Sequence, residues 1–208
     1  MKLALDLDGT LITCEPRQSA ALRIALNMCG AYADCDAVWN LKRSGLSTES
    51  ALRNVGLEGQ LSKEISDNWK RIVEDPLLLS LDSVLPQVEN VITEMSDSGY
   101  SLCLITARSR PEWVKHQLRR LGLLSWFSTV KVISHSNSVT EKSDALLMGA
   151  PMAYFGDSEV DCLSAKKAGI PFYAVVTGQR SDKFWSQTEH RTYYPSLLEA
   201  WRSFVTSC

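Results

Sequence analysis

Asp6 and Asp8 stand two residues apart at the end of the apolar run Leu3-Ala4-Leu5, and Gly9 and Thr10 follow them. In an extended strand, residues two apart point to one face, so both carboxylates leave the strand together. Two such groups side by side repel each other; a divalent cation relieves that repulsion, and oxygen donors select magnesium. Gly9 allows a sharp turn and brings backbone N–H groups, with Thr10, near an anion. A second acidic constellation closes the apolar run 152–155: Gly156, Asp157, Ser158, Glu159, Val160, Asp161. A helix starting near Ser158 sets Asp157 and Asp161 one turn apart on one side. Asp157 can then complete a cation shell, while Asp161 hydrogen-bonds metal-bound water or a neighbouring side chain. The candidate magnesium set is therefore Asp6, Asp8, Asp157 and Asp161.

Two further residues suit phosphoryl chemistry. Thr106 ends the run 101–105, where its hydroxyl and the adjacent N–H groups, that of Ala107 included, can hold a phosphoryl oxygen; Arg108 lies close enough to touch substrate. Lys142 falls early in the helix after the run 130–133 and can neutralise both phosphoryl oxygens and the Asp6 carboxylate. Lys131, inside the strand, is the poorer candidate. Each of the four motifs falls at the carboxyl end of a strand, the edge where open α/β sheets bind ligands.

The elements that must hold these groups alternate regularly from residue 84 onward. Apolar runs at 101–105, 130–133, 152–155 and 172–176 alternate with helical periodicity at 84–98, 111–121, 140–148 and 159–168. Pro111 suits a first helical turn, and Gly99, Gly122, Gly149 and Gly169 follow helices as C-terminal caps do. With 2–7 as the opening strand, five parallel strands form a doubly wound α/β sheet covered by helices on both faces. Residues 15–80 break the alternation. They carry only helical patterning, at 17–29, 35–43, 48–55 and 61–73, with Asp34 and Ser47 as N-caps and Trp39 and Trp69 as core residues. The expected division is a core of 1–14 and 81–208 with a helical domain, 15–80, inserted after the first strand; 196–205 forms a last packing helix.

Composition excludes several classes. Twenty-two basic against twenty-four acidic residues leave a net charge of −2, so nucleic acid is not an expected partner. No apolar run approaches the ~20 residues that span a bilayer, and Asp6 and Asp8 interrupt any signal-like N-terminus. The expectation is a cytoplasmic protein, monomer or homodimer, without a membrane partner. None of the six cysteines forms a C-x-x-C pair, which argues for reduced thiols rather than a zinc site.

With these residues in hand, the chain resembles the haloacid dehalogenase superfamily of phosphohydrolases. The run 6–10, DLDGT, matches its first motif, Thr106 its second, Lys142 its third and GDSEVD, 156–161, its fourth. The helical insertion resembles the superfamily's α-helical cap, as in phosphoglycolate-phosphatase-like members, while ITARSRP at 105–111 resembles nucleotidase-like ones. The resemblance implies a Rossmann-like sheet with the first strand central, strands two and three on one side and four and five on the other. It implies a magnesium-dependent phosphatase in which Asp6 is the nucleophile and Asp8 the acid and base. Thr106 and Lys142 would stabilise charge, and Gly9, Thr10, Ala107 and Arg108 would contact substrate. The expected substrate is a small phosphorylated metabolite: a sugar phosphate, phosphoglycolate or a nucleotide. Asp8 disfavours dehalogenase and phosphonatase chemistry, whose enzymes typically lack an aspartate there. A phosphomutase acting on a sugar phosphate and a non-catalytic binding or regulatory protein on the same fold are the alternatives. The inserted helices argue against a receiver-type signalling domain.

Overall fold

The computed structural model describes residues 1–207. The chain opens with strand β1 (Lys2–Leu5), whose Leu3, Ala4 and Leu5 are all fully buried. A strand with no solvated face belongs inside a parallel sheet covered on both sides. After β1, residues 7–12 curl through a tight turn in which the N–H groups of Leu11 and Ile12 both donate to the Leu7 carbonyl. Ile12 pairs antiparallel with Val84, where the chain comes back.

The chain divides into two compact units, 1–13 with 83–208, and 14–82. The second unit is entirely helical: α1 (Glu15–Met28), α2 (Cys35–Arg43), α3 (Thr48–Asn54), α4 (Gly59–Ile72) and a short α5 (Pro76–Leu79). The Asp34 and Ser47 side chains accept from the first-turn N–H groups of α2 and α3, as N-caps do. The unit has its own apolar core, with Leu22, Leu26, Val38, Leu52 and Ile65 among its buried members. Several of its bases are committed inside it. Arg17 pairs with buried Asp82 at 2.7 Å, and Lys42 donates to Gln18 at 2.6 Å with its ammonium 3.9 Å above the Trp69 ring.

The first unit continues with α6 (Val88–Asp97), β2 (Ser101–Ala107), α7 (Pro111–Arg120), β3 (Phe127–Ile133), α8 (Ser138–Gly149), β4 (Tyr154–Gly156), α9 (Glu159–Ala168), β5 (Phe172–Val175), α10 (Asp182–Ser186), β6 (Tyr193–Tyr194) and α11 (Leu197–Ser207). The sheet order is β3-β2-β1-β4-β5-β6, and every pairing is parallel. On one face, Leu3, Leu5 and Phe155 pack against Val91, Ile92 and Met95 of α6, Leu118 of α7 and Trp201 and Phe204 of α11. On the other, Ala4, Ile105 and Tyr154 meet Leu146 of α8 and Ala165 of α9.

The sheet has six strands rather than the five expected. The sixth is two residues long, Tyr193 and Tyr194 against Ala174 and Val175, too short to show an alternating pattern. Gly149 is not a C-cap: α8 runs through it, and Ala150 takes the left-handed conformation at φ +45°. No disulfide joins the described cysteines. Among the described residues, no helix is long and apolar enough to cross a membrane.

Candidate active site

The register of the sheet explains how distant motifs meet. Leu5 pairs with Leu104 on one side and Phe155 on the other. Asp6 lies one residue beyond that level, and Thr106 and Asp157 two residues beyond it on the flanking strands. All three are buried at the carboxyl edge of the sheet, with exposures of 5 % or less.

Four charged side chains converge there. The carboxylates of Asp6, Asp157 and Asp161 each offer an oxygen within 4.8 Å of the others. Lys142 of α8, 3 % exposed, donates to Asp6 Oδ1 at 2.7 Å, to Asp161 Oδ1 and to the Tyr154 hydroxyl at 3.1 Å. Asp161 is held on both oxygens. Tyr154 donates to Oδ1 at 2.6 Å, while Ser158 donates to Oδ2 from its hydroxyl at 2.6 Å and its N–H at 3.2 Å. The Ser158 pair is half of a capping box that starts α9, with the Asp161 N–H donating back to the Ser158 hydroxyl. Asp8 is engaged elsewhere. The Arg108 guanidinium grips it with two parallel bonds, Nε to Oδ2 at 2.7 Å and Nη2 to Oδ1 at 2.6 Å.

The electrostatics of this cluster are unbalanced. Three ionised carboxylates against one ammonium would leave two uncompensated negative charges in a buried place. Burial pushes Asp6 up to about 7; Lys142 opposes the rise, and Asp161 and Asp8 add to it. Burial, then the Asp6 and Asp161 charges, hold Asp157 well above the usual carboxylate range. Burial alone would lower Lys142, but Asp161 and Asp6 together keep its ammonium above its ordinary value. The missing positive charge is supplied by protons on the raised carboxylates or, in their place, by one divalent cation. Asp6 Oδ2 and Asp157 Oδ1 accept no hydrogen bond from the described residues, so hard oxygen donors are available for it. The donor set fits magnesium.

The loop after β5 completes the arrangement and escaped the sequence reading. The Gln179 N–H donates to Asp157 Oδ2, and the Thr177 hydroxyl donates to the Gly9 carbonyl. Gly9 sits at φ +70°, and Gly178 lies so close that a Cβ on either glycine would fall inside the Asp157 carboxylate. Tyr154 also went unnoticed, since a tyrosine inside a buried strand reads as core. The Thr10 hydroxyl is buried without a hydrogen-bond partner among the described residues, and Ala107 is the half-buried last residue of β2.

Known proteins similar in sequence and in fold point to one family. Residues 3–175 match the haloacid dehalogenase-like hydrolase family. The chain is 29 % identical over 195 residues to the phosphoglycolate phosphatase of Yersinia pseudotuberculosis, covering 85 % of this chain and 81 % of that one. With the phosphoglycolate phosphatase of Cereibacter sphaeroides it is 28 % identical, covering 86 % of each. A haloacid dehalogenase-like hydrolase from Streptococcus pneumoniae superposes with a TM-score of 0.76 at 20 % identity, covering 98 % and 97 % of the two chains. The family match spans the opening acid pair, the hydroxyl, the buried lysine and the second acid pair, and the chain belongs to the haloacid dehalogenase-like hydrolases.

Proposed function

We propose that this chain hydrolyses a small phosphomonoester through an aspartyl-phosphate on Asp6, with magnesium as its cofactor. It is a phosphatase of its family. The observation that carries the mechanism is the contact of Lys142 with Asp6, 136 residues away in sequence, beside Asp157 and Asp161. Asp6 offers its carboxylate to phosphorus as the bond to the leaving oxygen breaks, and Asp8 delivers the proton that oxygen needs. A water then gives its proton to Asp8 and attacks the aspartyl-phosphate, returning Asp6 and releasing phosphate; such proton transfers contribute on the order of 10²–10⁴-fold. Lys142 favours the carboxylate form of Asp6 against the burial that opposes it, and Thr106 lies next to last in β2, at the edge beside it. Asp6, Asp157 and the Asp8 carbonyl would hold magnesium, whose charge lets an anionic nucleophile meet an anionic substrate.

The relatives' names make phosphoglycolate the first ester to test, ahead of sugar phosphates and nucleotides. Phosphate release from such a panel, with and without magnesium, decides the reading. We expect turnover only with the metal and none in Asp6→Asn; metal-independent release, or an active Asp6→Asn, would overturn it.

A further inference from the structure

We propose that Tyr154 is a positioning residue that sets Lys142 against the Asp6 nucleophile, an inference resting on the role given to Asp6 above. An ammonium has three N–H donors. Lys142 spends all three, on Asp6, on Asp161 and on the Tyr154 hydroxyl. Asp6 is a changing anchor: when one of its oxygens joins phosphorus the group loses its negative charge, and only a neutral carbonyl oxygen is left to face the ammonium. The frame that remains is Asp161 and Tyr154, and the tyrosine touches both: its hydroxyl accepts from Lys142 and donates to Asp161 Oδ1 at 2.6 Å. The Ile105 carbonyl, 3.3 Å away, marks the inner wall of the same small space.

The ring below this hydroxyl has no freedom. Tyr154 is fully buried, packed among Ala4, Ile105, Leu146 and Ala165, with the Phe172 ring centroid at 6.0 Å. A buried ring of this kind has one orientation, so the hydroxyl is a fixed point and not an adaptable contact. Phenylalanine would keep the packing and remove one oxygen. One N–H of a buried cation would then lose its acceptor, and Asp161 would lose a donor. Lys142 would tilt away from the phosphoryl position while the rest of the site stayed built.

Tyr154→Phe tests this with p-nitrophenyl phosphate at saturating magnesium. We expect kcat to fall about tenfold while KM and the magnesium dissociation constant, measured by titration calorimetry, stay within about twofold. A kcat within about twofold of the original, with or without a lower Tm, overturns the proposal, because the hydroxyl would then serve the core alone. A parallel shift in KM or in magnesium affinity also overturns it, since the tyrosine would be shaping the whole pocket. Asp6→Asn, assayed alongside, separates the two levels: an active Asp6→Asn sinks the mechanism, whereas a dead Asp6→Asn beside an unimpaired Tyr154→Phe sinks only the tyrosine's role.

Discussion

Asp6 is asked to be a strong nucleophile in a place that resists its charge. Burial pushes it up to about 7, so the folded, metal-free protein keeps a proton that the unfolded chain releases near 3.8. The stabilising contribution is complete below about pH 4 and is lost as the pH rises through about 7. Asp6→Asn removes that loss. We expect turnover below about one per cent of the original, yet metal-free stability at pH 8 higher by about 1–3 kcal/mol in urea unfolding. Arg108 poses the complementary problem. Its fork on Asp8 fixes the rotamer of the group that must move a proton, and an ammonium cannot reproduce a fork. Arg108→Lys should lower kcat about tenfold, with a larger loss for alkyl phosphates than for p-nitrophenyl phosphate, whose leaving group needs no acid. Equal losses for both esters would detach Arg108 from the proton transfer. Sequence offers Arg108 as a substrate contact; its pairing with Asp8, 100 residues away, leaves no trace in local pattern.

Among the elements, the acid-bearing strands were legible because their chemistry and their periodicity coincide: apolar runs ending in Asp6 and Asp157 are hard to read otherwise. The opposite holds for the segment after β5. Helix α10 has five residues and β6 two, too few for any period to show. The connecting loop reaches Asp157 through its backbone, the Gln179 N–H, which sequence does not display. Gly178 is the informative case. It is needed for close approach, since a Cβ there would overlap both the Asp157 carboxylate and the Gly9 backbone. Gly178→Ala must push one of them aside, and overpacking of this kind costs about 1–3 kcal/mol. Because the displaced group is a carboxylate of the acidic cluster, the change should also weaken magnesium binding by about tenfold or more in titration calorimetry. An alanine variant that binds magnesium normally would mean the loop merely borders the site.

At the scale of the whole molecule, parallel order makes one site from segments that are otherwise unrelated. With β1 central in the sheet, Asp6 has β2 on one side and β4 on the other, so the hydroxyl, the second acid pair and the lysine of α8 all arrive at one edge. The same convergence concentrates three carboxylates around one lysine, and each gains more from a cation in the folded chain than in the unfolded one. Magnesium should therefore act as a stabiliser of the entire first unit. At about ten times its dissociation constant it contributes about 1.4 kcal/mol, which raises the Tm of a chain this long by roughly 3–6 °C. The effect should grow with pH through about 7, because below it the metal must displace the proton held on Asp6. Asp157→Asn should abolish the magnesium-dependent rise while leaving a folded protein, since Asn keeps the shape and the acceptor for the Gln179 N–H. Scanning calorimetry at pH 6 and pH 8, with and without magnesium, reads all of these at once. A magnesium response that is independent of pH, or undiminished in Asp157→Asn, would place the ion somewhere other than among these acids.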